Sequence, residues 1–273
     1  MKSSSPVRRL WCLVSSLLLP LFAIPAGLCG ETWTLEDHRV QVTLDDATGL
    51  LSVVEKSSGQ QWQQAPASTE FAITAVQRTE RGLFYKLSGA IPLTVTLSLA
   101  PNSDLEMTLE APAETPLEND LRYPGAFITP DADWHLVFPE AEGILVPMDE
   151  VGDALHLNRT VSIHDMSGLL MPWIGVTDAN LQSGYMIIVD TPFDAGIWLS
   201  EVKGQPAPAA QWNGEMGLFS YTRSLRFHFF GHGGYVAQAK HYRHHVQTTA
   251  EFSTLRERAV TRPAIERLIG AVH

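Results

Sequence analysis

The chain has 273 residues, 45% of them hydrophobic, with 30 acidic against 19 basic residues and a formal net charge of −11 at pH 7. That acidity argues against nucleic acid and against anionic membrane surfaces as partners, because both are bound through an excess of Lys and Arg. It suits a protein whose ligands are neutral.

Residues 1–30 have the layout of a secretory signal peptide. Lys2, Arg8 and Arg9 form a basic start, residues 10–24 an apolar run interrupted by Pro20, and Ala26, Gly27 and Gly30 a small-residue end. The apolar run is too short to span a bilayer. The expected location is therefore secreted or periplasmic, with no membrane partner once the signal is removed. Cys29 follows Leu28 where a lipidation site takes a small residue, which argues against a lipid anchor. The 2 cysteines, Cys12 and Cys29, both fall in this segment, so residues 31–273 have no thiol chemistry. That length buries a core without staples.

Strand signals begin at 39–44, where polar and apolar residues alternate. Asp45-Asp46-Ala47-Thr48-Gly49 turns, 50–54 returns, and Ser57-Ser58-Gly59 turns again before Trp62. Further strands are expected at 70–76, 83–88, 93–99 and 105–110. Residues 112–130 contain Pro112, Pro116, Pro124 and Pro130 and read as a long connection. A second β half follows, with strands at 135–138, 143–146, 168–176, 185–190, 195–199, 218–221 and 224–230. Residues 149–165 read as an irregular loop and 204–210 as a Pro/Ala loop. Strands at this spacing mark an all-β sandwich or barrel.

Helices come last. In 235–247, Val236, Ala239, Tyr242 and Val246 fall near one face, with Lys240, His241 and His244 off it. Thr254 with Glu257 is a capping box. Pro263 opens a last helical turn carrying Ile265, Leu268 and Ile269, and Gly270 suits its end. The expected domains are a signal peptide (1–30), a β-sandwich (31–230) and a helical linker (231–273).

Several groupings could carry chemistry. His241 and His245 have a metal-ligand spacing on a helix, but beside Arg243 they read as a solvated face, so no metal is expected. His228 and His232 straddle a strand end with no acid nearby in sequence. Gly231-x-Gly233-Gly234 lacks the third glycine and the βαβ setting of a dinucleotide site, and no cofactor is expected. Asn158-Arg159-Thr160 is a glycosylation sequon. Glu140 with Glu142, and Asp190 with Asp194, are the acid pairs a glycosidase would need. Trp134, Trp173 and Trp212 stand at strand ends or loops, where flat rings stack on the apolar faces of sugars. With Asp190 and Asp194 they are the candidate carbohydrate contacts; the competing reading for each Trp is core packing between sheets.

Four stretches carry a family resemblance. They are residues 42–62, through Thr48-Gly49 and Ser58-Gly59 to Trp62; Arg122-Tyr123-Pro124-Gly125-Ala126-Phe127 with Phe138-Pro139-Glu140-Ala141-Glu142-Gly143; Met171-Pro172-Trp173-Ile174-Gly175 with Tyr185 and Asp190-Thr191-Pro192-Phe193-Asp194-Ala195; and Gly233-Gly234-Tyr235 through Ala239-Lys240-His241-Tyr242-Arg243 to residues 265–271. In order and spacing they resemble the N-terminal galactose-mutarotase-like β-supersandwich domains of bacterial glycoside hydrolases similar to endo-α-N-acetylgalactosaminidase. The resemblance implies an all-β antiparallel supersandwich with a C-terminal helical tail. It also implies a carbohydrate partner, and a (β/α)₈ barrel that holds the catalytic carboxylates and packs on the tail, where this chain ends. The chain by itself is then a non-catalytic, carbohydrate-associated domain. Two other readings stand beside it: a stand-alone epimerase or glycosidase with its site on the sandwich face, and a structural domain docking a partner through its helical tail.

Overall fold

The computed structural model describes residues 30–67, 69–140, 143–163, 168–250 and 252–268. The signal-peptide segment with Cys12 and Cys29 lies outside the described residues, apart from Gly30, as do Glu142, Ile269 and Gly270.

Alternating side chains set the first layer. Strands β1 (Thr32–Glu36), β2 (Val40–Asp45), β3 (Leu51–Glu55) and β4 (Gln61–Gln63) form an antiparallel meander. Val40, Val42 and Leu44 point inward and the residues between them outward. Gly49 and Gly59 turn the chain at φ of 72° and 75°, as their turn sequences require.

The second layer is a nine-stranded sheet. It takes β5 (Phe71–Arg78), β6 (Gly82–Gly89), β7 (Leu93–Leu99) and β8 (Leu105–Glu110) from the first half of the chain. After the two-residue β9 (Pro116–Leu117), the second half supplies β10 (His135–Phe138) and β11 (Ile144–Pro147). The spatial order is β11-β10-β13-β14-β18-β8-β7-β6-β5, with β13 at Trp173–Thr177, β14 at Gly184–Val189 and β18 at Arg223–Phe230. A smaller antiparallel sheet holds β12 (Arg159–Ser162), β15 (Ala195–Val202) and β16 (Gln205–Trp212). The two-residue β17 (Gly217–Leu218) pairs with β9. One apolar core joins all three main sheets through residues such as Val42, Trp62, Val95, Met107, Tyr185, Ile197, Leu199 and Phe227. The all-β antiparallel sandwich with a helical end, which the resemblance implies and which is one of the two architectures the strand spacing left open, is the fold the chain adopts.

Three local expectations change. Of the expected loop 204–210, residues 205–210 belong to strand β16, nearly all of it buried. Pro206 and Pro208 are tolerated because they alternate along an edge strand, where the position of a missing N–H faces away from β15. The expected irregular stretch 149–165 contains the short helix α1 (Val151–Leu155) and β12, which bury Val151, Leu155 and Val161. The expected strand at 168–176 starts only at Trp173, leaving Leu170 and Met171 exposed.

Helix α2 (Gly234–Thr249) starts where Gly233 and Gly234 take φ of 91° and 49° to turn the chain out of β18. A Cβ on Gly234 would lie 2.1 Å from the Leu181 carbonyl oxygen, so only glycine lets the helix start so close to the sheet. Helix α3 (Leu255–Thr261) carries the expected capping box: Glu257 N–H donates to Thr254 Oγ1 at 3.2 Å and Thr254 N–H to Glu257 Oε2 at 2.6 Å. In the final turn, Pro263–Leu268, Ile265 is half-buried and Leu268 exposed; Val260 of α3 is 82% exposed.

Candidate functional site

The helix α2 face that meets the sheet is polar, and it differs from the expected one. Gly234, Ala237, Gln238, His241, Tyr242, His245 and Val246 turn inward, whereas Val236 and Ala239 lie in solvent. The reason lies beneath the helix. Strand β18 sends Leu225, Phe227 and Phe229 into the core and turns Arg226, His228 and Phe230 to the opposite face. One end of that face is apolar, formed by Val137, Trp173, Met186, Ile188 and Phe230 with Ala237 and Tyr242 packed on it. The other end carries charge, and only a polar helix face can cover it.

Gln238 fixes the height of the helix. It is fully buried, and its Nε2 donates to the Val176 carbonyl at 3.0 Å. Gly175 lies directly beneath: a Cβ there would be 1.8 Å from Gln238 Oε1. Gly175 has an ordinary extended backbone, so close approach rather than dihedral freedom explains this glycine.

The charged end is a network centred on Asp104, a fully buried carboxylate in the turn before β8. His228 Nδ1–H donates to Asp104 Oδ1 at 2.6 Å. His241 Nε2 lies 2.9 Å from the same oxygen, but off the line of a hydrogen bond, so this buried nitrogen has no aligned partner. The two imidazoles face each other with centroids 3.9 Å apart. Asp104 Oδ2 accepts from Asn102 Nδ2 at 2.9 Å and Arg226 Nη1 at 3.2 Å. Arg226 also pairs with Glu106 at 3.2 Å, and its Nε and Nη2 grip Asp190 at 2.9 to 3.1 Å. His245 Nε2 completes the set 3.2 Å from Asp190 Oδ1.

Burial alone would raise the Asp104 carboxyl, but the hydrogen bond from His228 and the close approach of the His241 imidazole outweigh it and hold it well below the usual range. Asp190 is likewise held down, by His245 and Arg226 against the opposing effect of burial. His228 goes down because desolvation, helped by the neighbouring His241, outweighs the pull of Asp104. His241 and His245 are thus inward-facing members of a network, not a solvated face. His228 does have an acid beside it, supplied from 124 residues away in sequence. The only sequence signal for this was Asp104 closing the Pro101-Asn102-Ser103-Asp104 turn, which reads as an ordinary turn residue.

Each sequence-predicted sugar contact has a structural neighbour. Trp134 is 6% exposed and meets Trp62 edge-on at 5.1 Å. Trp173, 4% exposed, stacks under Tyr242 of α2. Trp212 is fully buried in β16 and its indole donates to the Thr191 carbonyl at 3.3 Å. The expectation of loop platforms is corrected for all three: core packing covers their rings. Asp190 is engaged by Arg226. Asp194 pairs with Arg223 at 2.7 Å and accepts a short hydrogen bond from the Tyr221 hydroxyl. The Arg223 guanidinium itself lies between Phe219 and Tyr221. The two aspartates therefore sit in separate ion pairs rather than flanking one cleft. Glu140 is half-buried, near the start of the loop after β10.

Next to Asp194, Phe193 is 83% exposed, with Tyr221 edge-on at 5.8 Å. It is the most exposed aromatic among the described residues.

No family model and no curated protein matches the sequence. Solved structures do match. α-N-Acetylgalactosaminidase NagBb from Bifidobacterium bifidum, in complex with GalNAc, overlaps 86% of this chain at a TM-score of 0.70 and 15% identity. The ligand-free form of that enzyme overlaps 84% at a TM-score of 0.65 and 16% identity. A GalM/aldose epimerase homologue from C. elegans overlaps 74% of this chain and 99% of its own, with 10% identity and a TM-score of 0.49. The chain spans 42% of the length of the NagBb complex structure. The relative expected from the motifs, a glycosidase acting on α-linked N-acetylgalactosamine, is thus the kind of protein the structure meets, and the chain shares its fold with about two-fifths of that enzyme.

Proposed function

We propose that this chain is the β-sandwich portion of an exported glycoside hydrolase, associated with carbohydrate and not catalytic by itself. The observation that carries the reading is the overlap of 86% of the chain with 42% of an α-N-acetylgalactosaminidase. The chemistry of the carboxylates supports it. A glycosidase needs one carboxylic acid held protonated near neutral pH. Among the described residues, the carboxyls that are displaced, Asp37, Glu55, Asp104, Asp190 and Glu257, are all displaced downwards. They are built to stay ionised.

The sugar contact we assign is Phe193 with Tyr221 and Asp194. Phe193 presents a ring to solvent, and Asp194 supplies an acceptor for hydroxyls beside it. The ligand class is an α-linked N-acetylhexosamine, by extension from the matched enzyme. The apolar strip of Ile144, Leu145, Leu170, Met171, Tyr235 and Val236 is the face we assign to the rest of the hydrolase.

The test has two parts. The purified chain is assayed for hydrolysis of an aryl α-N-acetylgalactosaminide and for anomer interconversion by polarimetry. Background rates are expected, unchanged in Asp190→Asn and Asp194→Asn; turnover that these substitutions abolish refutes the reading and moves the site onto the sandwich. GalNAc is then titrated by NMR. Shifts in wild type that are lost in Phe193→Ala, with an unchanged melting temperature, support the sugar contact; no shifts at millimolar sugar refute it.

A further inference from the structure

We propose that Asp104, His228 and His241 form a binding site for one divalent transition-metal ion of the zinc class, which clamps helix α2 to the sheet. The three residues come from three places far apart in sequence: the turn before β8, strand β18 and the middle of α2. Their ligand atoms nevertheless all lie within 4.8 Å of one another.

The His241 contact is poor for hydrogen bonding, and the three groups together suit a shared cation. Two imidazole nitrogens crowd one carboxylate oxygen, at 2.6 and 2.9 Å, and the His241 nitrogen is buried without an aligned partner. A metal ion takes the place of both contacts: neutral His228 then carries its proton on Nε2, and the lone pairs of Nδ1, His241 Nε2 and Asp104 Oδ1 meet at one central point. Zinc binds nitrogen at about 2.0–2.1 Å with tetrahedral geometry, which sets donors roughly 3.3 Å apart. Opening the two contacts with Asp104 Oδ1, at 2.6 and 2.9 Å, to that value needs shifts of about 0.7 and 0.4 Å. The surroundings orient the ligand: Asn102 and Arg226 both engage Asp104 Oδ2, leaving Oδ1 directed at the histidines. Charge also permits a cation. Asp104, Glu106 and Asp190 share the single guanidinium of Arg226, with Arg39 acting on His228 from further away. Two imidazoles and one carboxylate select zinc, cobalt or nickel over magnesium or calcium.

The experiment uses the purified chain stripped with chelator and titrated with Co²⁺, then Zn²⁺. The expected result is one equivalent of Co²⁺ giving the visible ligand-field bands of a low-coordinate site, displaced by Zn²⁺, and a melting temperature that rises with Zn²⁺. His241→Ala, on a helix face that tolerates alanine, loses the bands and the thermal response. His244→Ala, exposed on the same helix, keeps both. Asn102→Ala weakens binding about ten-fold by loosening Asp104. Circular dichroism verifies that each variant is folded; if Asp104→Asn does not fold, His241→Ala and His228→Gln decide. The proposal is overturned by wild-type protein that shows neither bands nor a Zn²⁺-dependent melting shift. It is equally overturned if folded His241→Ala retains the full response, because the ion then sits elsewhere.

Discussion

Gly175→Ala should lower stability by about 2 kcal/mol, and the loss should vanish when Gln238 is also removed. The new methyl would lie 1.8 Å from Gln238 Oε1 and 2.8 Å from its Cδ. The strand backbone is extended there, so alanine by itself brings no dihedral strain; its lower chain entropy in the unfolded state is worth roughly 0.4–1 kcal/mol in favour of folding. Against that stands the eviction of Gln238. The side chain is fully buried and cannot swing into water, so its bond to Val176 is lost, at about 1 kcal/mol net, and its amide is left unpaired, at about 1–3 kcal/mol. The balance is about 2 kcal/mol, or roughly 4–8 °C in melting temperature for a domain of this size. Gln238→Ala alone should cost about 1 kcal/mol, and the double variant no more than that, because the methyl then fills the vacated space. Urea denaturation of wild type, both single variants and the double gives the coupling directly. Strict additivity of the two single losses would refute the claim that Gly175 exists to admit Gln238.

Three further substitutions probe the rest of the helix–sheet joint. Arg226→Met removes the guanidinium shared by Asp104, Glu106 and Asp190, and should destabilise by about 3–5 kcal/mol at pH 7 in urea titrations, since it strands buried carboxylates. Asp190→Asn tests the linkage sign: a depressed folded pKa contributes stability above the unfolded value of about 3.9, which is lost as pH falls through the folded value. The variant should be less stable than wild type at pH 7 and converge with it below about pH 4; a gap that widens in acid contradicts the assignment. Thr254→Ala removes the capping box and should cost about 1 kcal/mol locally, read as faster amide exchange in α3 with little change in global melting, because Ala259 is the one α3 residue that is buried.

The sandwich was legible because its strands obey a two-residue period and its turns use residues with a mechanism. Strands 93–99 and 105–110 fall where the alternation places them. The Thr254–Glu257 box is likewise a purely local device, so sequence suffices for it. Strand β16 was misread because proline content outweighs pattern until the pairing partner is known. Only the sheet order shows that Pro206 and Pro208 sit on an edge. The tryptophans were misplaced for a related reason: a Trp at a strand end faces either solvent or the second layer, and the layer that covers Trp134 comes from Trp62, 72 positions earlier.

The helix face shows most clearly what local pattern leaves out. By hydrophobicity, Val236 and Ala239 belong inside and His241 and His245 outside. The sheet reverses this, because strand β18 presents Arg226 and His228 on its outer side and the β7–β8 turn delivers Asp104 beside them. A buried carboxylate without partners costs several kcal/mol, more than exposing one valine. The polar face of α2 therefore wins the contact, and the apolar residues it gives up are left at the surface: Val236 is 44% exposed, beside Tyr235 at 43%. One electrostatic requirement inside the sheet thus sets two features of the outer surface together. It draws three histidines into a cluster around two aspartates, and it leaves apolar side chains at the surface. A sequence window of one helix contains neither cause: Arg226 and His228 lie in the strand before it, and Asp104 lies more than 100 positions upstream.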